Sequence, residues 1–463
     1  MVFMKIESSL SSRSLLLIQG CLLSFISLLF IKSAVSSLVF VGIVAFGFLL
    51  ILIYHFPNLV LPIFLTSLFW GEIYFRKGDF GVTISDPFFV LLTAGYLCVC
   101  LKQKSAMFQI AKSDRIIVFS FIVLVLIMIL SVVVNSSVLP DLYIFKGAVK
   151  IAYMIQYLLA FLMVRSLRLP DKGISTLRLI FLLSLLQLPI AVYQLYFLGG
   201  TELNRVVVGS MSYHHGMLGT FMLIPFSLSI GQARMAEKKV YRIGNIVLAA
   251  IFLLLVILSG TRSALLGLFV TVAIFMALNL KWKRSNLKYV TFSLIGIITV
   301  YYLTPVKILV QATYDKGNNI VDASSLGRLL IWQGAWDFFI NSDLLHKLFG
   351  SGFGCFFLIP QKHVIFDGLR HSWGAHNNYL NALCETGLVG LIAFVSFFVS
   401  SLIVLYKRKH PLSKSFFYAT IAMLFSGLTQ ETFWVTAAFH NLWLIYMVIF
   451  ALVLKMSCVQ ESK

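Results

Sequence analysis

Three residues of this sequence stand where neither packing nor charge sorting asks for them. Arg262 lies in Ser-Gly-Thr-Arg-Ser-Ala, a short turn between two apolar runs. Arg328 lies in the one long connection of mixed composition, and His376 opens His-Asn-Asn-Tyr-Leu, where the chain becomes apolar again. Guanidinium forks are donors shaped for anions, and an imidazole titrates near neutral pH and can accept a proton. Each residue has a bland alternative. An arginine at a span end is often a snorkelling anchor, because burying it at the bilayer centre costs ~2.5–3.5 kcal/mol. A His followed by two Asn at a helix start is equally a capping sequence. Other chemistries lack their signatures: there is no Walker-type glycine loop, His-Glu-x-x-His helix, Gly-x-Ser-x-Gly elbow or Asp-x-Asp pair, so nothing points to an ATP-driven pump or a familiar metal enzyme.

The elements that position these residues follow from composition. Of 463 residues, 12% are charged and 60% apolar, against roughly 25% and 45–50% in a soluble domain. Too few charges are present to coat even one water-facing core. About 14 apolar runs of span length are readable: Ser14 to Ile31, Ser36 to Ile53, Leu59 to Phe75, Pro87 to Leu101, Ile116 to Val134, Gly147 to Val164, Leu179 to Leu198, His215 to Ile230, Asn245 to Leu258, Ser263 to Leu280, Tyr289 to Leu303, Tyr379 to Tyr406, Ser415 to Thr429 and Ala437 to Leu454. The expected fold is an all-α polytopic membrane protein of about 12–14 transmembrane helices. The third, ninth, eleventh and thirteenth runs are short or polar-edged.

The net charge of +20 falls in clumps: Lys102 to Arg115, Arg165 to Arg178, Arg234 to Arg242, Lys281 to Lys288 and Lys407 to Lys414. Threading the spans from a cytoplasmic N-terminus returns every clump to one side, as the positive-inside rule requires, and leaves both termini cytoplasmic. The charge is therefore read as topology and contact with anionic lipid, with no nucleic-acid partner. Arg262, Arg328 and His376 then share the opposite, periplasmic side, although they are far apart in sequence. The first apolar run has no small-residue cleavage site after it and is read as an uncleaved helix. The cysteines, Cys21, Cys98, Cys100, Cys355, Cys384 and Cys458, show no metal spacing and imply no disulfide framework.

Four segments follow: N-terminal transmembrane helices over 1–258, helices opening with the Arg262 turn over 259–303, a periplasmic loop over 304–377, and C-terminal helices over 378–463. In the loop, Ser324 or Ser325 is expected to cap a helix, and Arg328, Trp332, Trp336 and Ile340 recur every fourth residue, the pattern of an amphipathic surface helix. Gly350, Gly352 and Gly354 mark a tight turn where backbone could approach a ligand. Glu385 lies some nine residues into its span. An intramembrane carboxylate is a functional candidate by default, but pairing with a neighbour such as Lys150, Gln187 or Gln194 is the preferred reading.

Together, Ser259-Gly-Thr-Arg-Ser-Ala-Leu-Leu-Gly, Arg328 with Trp332, the Gly350 to Gly354 turn, His376-Asn-Asn-Tyr-Leu and Glu385-Thr-Gly-Leu-Val-Gly resemble the bacterial O-antigen ligase and O-antigen polymerase family. Thr261 and Ser263 depart from the family's usual neighbours of the arginine, and the stretch from Asn341 to Phe349 lacks its proline. The resemblance implies a GT-C-like inner-membrane glycosyltransferase of polysaccharide or lipopolysaccharide biosynthesis. Such an enzyme takes a glycan from undecaprenyl diphosphate at the periplasmic face and joins it with inversion to an acceptor glycan, either a lipid-linked repeat or a lipid A core. It needs no metal or other cofactor, and its partners are the bilayer and polysaccharide-assembly proteins.

On this reading Arg262 and Arg328 bind the diphosphate and His376 is the catalytic base, with Asn377, Trp332 and Glu385 supporting. Two unit charges about 4 Å apart at an effective dielectric of 20 interact by ~4 kcal/mol, a useful share of a glycosyl-transfer barrier. Two other classes compete. A transporter or flippase would place its polar residues near the midplane on broken helices, and a scaffold would tolerate loss of Arg328 or His376. Polymerase and ligase use the same donor chemistry and are not separated by these residues.

Overall fold

In lipid, backbone N–H and C=O groups must find partners inside their own segment, so the apolar runs become helices. The computed structural model describes residues 59–69, 74–77, 80–83, 85–103, 110–167, 169–197, 209–210, 215–279, 323–358, 374–434 and 439–460, with Gly47, Phe108 and Val207 singly. The runs Ser14 to Ile31, Ser36 to Ile53 and Tyr289 to Leu303, Cys21, and the stretches Glu202 to Arg205, Thr304 to Asp322 and Lys362 to Arg370 lie outside the described residues.

The order is α1 (Val60–Leu68), β1 (Tyr74–Lys77), β2 (Phe80–Thr83), α2 (Ser85–Gln103), α3 (Arg115–Val134), α4 (Asp141–Ser166), α5 (Ile174–Leu185), α6 (Gln187–Phe197), α7 (His215–Met235), α8 (Lys239–Leu258), α9 (Arg262–Asn279), α10 (Ala323–Asn341), α11 (Leu344–Phe349), α12 (Asn378–Lys407), α13 (Pro411–Ser426) and α14 (His440–Gln460). Seven helical stretches among the described residues are long and apolar enough to cross a membrane: Lys112–Val134, Asp141–Ser166, Ile174–Phe197, Gly216–Met235, Lys239–Leu258, Asn378–Lys407 and His440–Cys458. The chain is an all-α polytopic membrane protein with one small hairpin.

That hairpin corrects the third expected span. α1 stops at Leu68, and β1 and β2 pair antiparallel with Tyr74 opposite Thr83 and Lys77 opposite Phe80. Two residues, Gly78 and Asp79, separate the strands in sequence, a spacing that favours hairpin over helix. The ninth span begins at Lys239 rather than Asn245 and is of ordinary length. Between α5 and α6 the helix is interrupted at Leu186. Pro189 supplies the reason, since it has no N–H to give to Leu185.

Two compact units are distinguished: Met1–Phe64 with Asp86–Met107, and Leu65–Ser85 with Phe108–Lys463. In the first, Phe64 meets Phe89 edge to face. In the second, α7 packs on α8 and α13, α3 on α12, α9 on α13 and α4 on α14. α14 is its axis, buried on every face from Leu442 to Leu454.

At the end of this unit that carries the basic clumps, Asp114 is buried between two arginines. Arg165 donates to its Oδ2 through Nε at 2.6 Å, and Arg408 donates to its Oδ1 at 3.2 Å. Lys455 donates to the carbonyls of Arg165 and Leu167 at the C-terminus of α4, where a cation is favoured by the helix dipole. Arg165 and Arg408 belong to the basic clumps read as topology and contact with anionic lipid. They are instead internal ion-pair partners, because a buried carboxylate needs compensating charge.

At the opposite end, α12 is broken. Gly387 has φ 68° and ψ −170° inside an otherwise helical run, so the carbonyls of Cys384 and Glu385 lose the partners that residues 388 and 389 would supply. The 350–354 turn supplies replacements. Ser351 N donates to Cys384 O at 2.9 Å and Gly352 N to Glu385 O at 3.1 Å, and Ser131 Oγ on α3 adds a second donor to Glu385 O at 2.6 Å. Gly350, Gly352 and Gly354 all have positive φ, and a Cβ on Gly350 would collide with the Glu385 and Thr386 backbone. The close approach at Gly350 is to the α12 backbone, while Gly352 stands against the Leu139 side chain and Gly354 against the Lys150 stem and Gly147.

Gly350→Ala is expected to lower the midpoint of thermal unfolding of detergent-purified protein by about 5 °C or more, since it adds a clash to a left-handed residue. Gly244→Ala, where a Cβ meets nothing within 4 Å, is expected to leave the midpoint unchanged. Equal midpoints for the two variants would show that the turn does not depend on the close approach.

Candidate functional site

The site is built on the N-terminal cap of α12. Asn377 is the N-cap: its Oδ1 accepts from Tyr379 N at 2.9 Å and Leu380 N at 3.1 Å, satisfying donors that a helix start leaves unpaired. The capping reading of His-Asn-Asn therefore holds for Asn377. Asn378 is fully buried and clamps the turn after α13. Its Oδ1 accepts from Phe433 N at 3.1 Å, its Nδ2 donates to Thr432 Oγ1 at 2.9 Å, and its backbone N donates to Gly427 O at 2.8 Å.

The two peptide groups before the cap are held from three directions. Ala375 N donates to Asn381 Oδ1 at 2.7 Å, and Ala375 O accepts from Trp332 Nε1 at 2.7 Å. His376 N donates to Glu431 Oε1 at 3.1 Å, and the same oxygen accepts from Asn381 Nδ2 at 3.1 Å. A Cβ on Gly374 would fall on the Glu431 carboxylate. These contacts hold His376 at φ 49°, a left-handed conformation that a residue with a Cβ adopts at a cost. Its imidazole is half-buried, and among the described residues it makes no hydrogen bond, ion pair or ring contact. The backbone is fixed and the ring is left to meet something else.

Trp332 reaches Ala375 because α10 lies against this cap. Ile331 and Ala335 are buried with Phe356, Ala375 and Cys384, and Trp332, Phe338 and Leu380 pack around them. Leu329, Trp336 and Ile340 are exposed. The every-fourth-residue stripe is thus split, its Trp332 turned inward and its lower half outward. α10 begins at Ala323, so Ser324 and Ser325 lie within its first turn and neither is the cap. Arg328 stands half-buried one turn before Trp332.

Arg262 is the first residue of α9. Ser259, Thr261 and Ser263 are buried while Gly260 and Arg262 are exposed, so Arg262 is the polar side chain that the turn presents. Ser259 Oγ ties the turn by donating to Val256 O at 2.7 Å, and the Thr261 hydroxyl lies 2.9 Å from it as the remaining partner. Gly219 on α7 allows this turn to seat, because a Cβ there would strike Ser259 and Thr261. The next residue, Thr220, has its hydroxyl 3.3 Å from that of Ser426, and Gly427 O accepts from Asn378 N. A short chain of contacts therefore links the Arg262 turn to the cap that carries His376. The antiparallel register agrees: α9 and α13 touch at Gly267 and Ala422, five residues from Arg262 and from Gly427 respectively, which sets those two at one depth. Arg328 and His376 are joined more directly, through Trp332.

Glu385 is 1% exposed. Its Oε2 accepts from Gly354 N at 2.9 Å and Trp434 Nε1 at 2.8 Å, and its Oε1 from Phe356 N at 3.0 Å. The preferred reading, a paired structural carboxylate, holds, but none of the named partners is correct. Gln187 and Gln194 instead clamp a different segment: Ser210 N and Gly209 N donate to their side-chain oxygens at 2.9 Å. Lys150 makes no ion pair with Glu385, whose carboxylate accepts three N–H donors instead. Beside them, burial pushes the Cys355 thiol up to about 12, with Glu385 acting in the same direction and the Lys150 and Lys146 ammoniums opposing.

Sequence reading missed Glu431, Asn381 and Trp434. Glu431 follows the thirteenth apolar run on the side poor in basic residues, and a lone acid at such a span end was the signal available. Asn381 and Trp434 are recognisable only once α12 and the turn after α13 are brought together.

Residues 247–395 match the family of O-antigen ligase, a stretch running from α8 through the broken part of α12 and covering about a third of the chain. No curated protein matches the chain. The match agrees with the resemblance read between Ser259 and Gly390, and it supports a function of the O-antigen ligase or polymerase type.

Glu431→Ala removes the acceptor shared by His376 N and Asn381 Nδ2, at a cost of about 1–3 kcal/mol for the donors left buried. Hydrogen exchange of the peptide over Gly374 to Asn381 is expected to quicken in this variant, while exchange around Asp114 stays as in the parent. Unaltered exchange at Gly374 to Asn381 would mean that the carboxylate does not hold the cap.

Proposed function

We propose that the protein is a glycosyltransferase of surface-polysaccharide assembly that takes a glycan from a polyprenyl diphosphate, such as undecaprenyl diphosphate, and joins it to an acceptor sugar at the periplasmic face of the bacterial inner membrane. The observation that carries this reading is His376: its backbone is fixed by Trp332, Asn381 and Glu431, while its imidazole has no partner among the described residues. A base must be oriented yet not already engaged.

In the proposed reaction the acceptor hydroxyl attacks the anomeric carbon of the donor sugar. The bond from that carbon to the diphosphate oxygen breaks, and the hydroxyl proton passes to the imidazole of His376. Negative charge builds on the leaving diphosphate, and the guanidiniums of Arg262 and Arg328 are assigned to meet it. Arg262 suits this role because α9 exposes it at a span end, where a lipid-linked headgroup stays while its tail remains in the bilayer. Charge sorting favours the periplasmic side, since α3 starts and α4 and α12 end at the basic clumps.

Transfer from a supplied lipid-linked donor is expected to fall by about a hundredfold or more in His376→Ala, and by a similar factor in Arg262→Ala or Arg328→Ala. Parental turnover in His376→Ala would remove the base assignment, and failure of the parent protein to transfer any glycan would remove the enzyme. Gel analysis of polysaccharide from a deletion strain separates the two forms of the reaction. Core bearing a single repeat indicates a polymerase; core bearing none indicates a ligase.

A further inference from the structure

The outer half of α4 carries two further cations that charge sorting does not ask for. α3 rises from the basic end, so α4 starts at the opposite end with Asp141 and descends to Arg165. Lys146 and Lys150 therefore lie about 8 and 14 Å along the helix from its outer start. In a 26-residue helix, the deeper of the two sits within the hydrocarbon layer, where an ammonium is costly and marks function by default.

Lys150 has an obvious candidate counter-ion and does not use it. Its stem passes the glycine turn, with Cδ 3.2 Å from where a Cβ of Gly354 would stand, and Gly354 N is one of the donors on Glu385. Yet the Glu385 carboxylate is occupied by Gly354 N, Phe356 N and Trp434 Nε1. Among the described residues Lys150 has neither an ion pair nor a hydrogen bond; its ammonium stands 5.9 Å from the centroid of the Phe353 ring. Lys146, one turn nearer the surface, stands 4.9 Å from the ring of Tyr143. Tyr143, Lys146 and Lys150 follow a three-then-four spacing and so share one helix face.

This face adjoins the candidate site through a single turn. Gly354 meets α4 at Gly147 and Lys150, while Phe356, two residues on, packs with Ile331 of α10 and with Ala375, the residue before His376. A transferase of the proposed kind joins two lipid-borne substrates, and each headgroup needs its own countercharge. Arg262 and Arg328 are assigned to the donor.

We propose that Lys150, with Lys146 above it, seats a phosphate of the acceptor lipid. This rests on the proposed transferase reading and adds to it a chemical class: the acceptor carries a phosphate group, whether the diphosphate of a second polyprenyl-linked repeat or a phosphate of a lipid A core. The ammonium supplies a point charge rather than a bidentate fork, so Lys150→Arg retains the seat, whereas Lys150→Met keeps the stem on Gly354 and loses the charge.

The test measures binding to the full-length protein in phosphatidylcholine nanodiscs, with undecaprenyl diphosphate, bisphosphorylated lipid A and undecaprenol as the three probes. Arg262→Ala serves as the background, to weaken the donor seat. Adding Lys150→Met is expected to reduce the affinity for one of the two phosphate-bearing probes about tenfold, leave undecaprenol unaffected, and be reversed by Lys150→Arg. Loss confined to undecaprenyl diphosphate identifies a second carrier-linked repeat as acceptor, and loss confined to lipid A identifies the core. Unchanged affinity for both probes overturns the proposal, whatever Arg262→Ala does by itself. If Arg262→Ala alone leaves undecaprenyl diphosphate binding at the parental level while Lys150→Met weakens a probe, the donor assignment falls and the phosphate seat stands.

Discussion

The break in α12 at Gly387 is the constraint on which the site depends. A regular helix there would consume the carbonyls of Cys384 and Glu385 in its own ladder. The break releases both, and a released carbonyl inside a membrane must be paired again by protein. The donors that do so, Ser351, Gly352 and Ser131, fix the 350–354 turn on α12 and α3 together. Glu385 completes the joint from the side-chain direction by collecting Gly354 N, Phe356 N and Trp434 Nε1. One backbone irregularity thus ties α3, the glycine turn, α12 and the segment after α13 into a single piece. α10 leans on that piece through Phe356 and Ala375, and its Trp332 then reaches the peptide before His376.

The opposite end of the same unit is secured by different means. There the partners are charges: Asp114 between Arg165 and Arg408, with Lys455 on the C-terminal carbonyls of α4. This knot joins the start of α3 to the ends of α4, α12 and α14. Because α3 and α12 are clamped at both ends, the carbonyl joint near Glu385 cannot relax by sliding one helix along the other. Removing one ion from such a cluster leaves an uncompensated buried charge, the most damaging change an ion pair can suffer.

The sequence made the helical envelope legible, because a span announces itself by length and apolarity and the basic clumps order the spans. Arg262, Arg328 and His376 stood out in the sequence for a related reason: they violate the charge pattern that the rest obeys. The partners were not legible. Glu385 was recognised as paired, yet its partners are two backbone amides and an indole rather than Lys150, Gln187 or Gln194, since backbone donors carry no sequence signature. Gly350, Gly352 and Gly354 were read as a close-approach turn, and the approach that the structure shows is to protein: the α12 backbone, Leu139 and Lys150. Glycine reports that backbone comes near something, not what that something is. The stripe of Arg328, Trp332, Trp336 and Ile340 predicted one face, but a helix lying against a cap on one side buries Ile331 and Ala335 instead, and spacing alone does not choose between neighbouring faces.

Two buried glutamates, Glu431 at the cap and Glu385 further along α12, explain why the proposed chemistry falls to an imidazole. Glu385 and Glu431 are both buried, and the contacts they make are with N–H donors that hold backbone or side chains in place. A carboxylate left open to the site would stand against an incoming diphosphate, and like charges about 4 Å apart at an effective dielectric of 20 repel by ~4 kcal/mol, as much as one guanidinium contributes by attraction. A base that is neutral before it accepts a proton avoids that repulsion. Once it has accepted the proton, it becomes a cation while the leaving diphosphate gathers negative charge, so its charge changes in the direction that the developing transition state favours. Engaging both carboxylates therefore serves two ends: Glu431 fixes the backbone of His376 and Glu385 fixes the glycine turn, and neither leaves unbalanced negative charge toward the substrate.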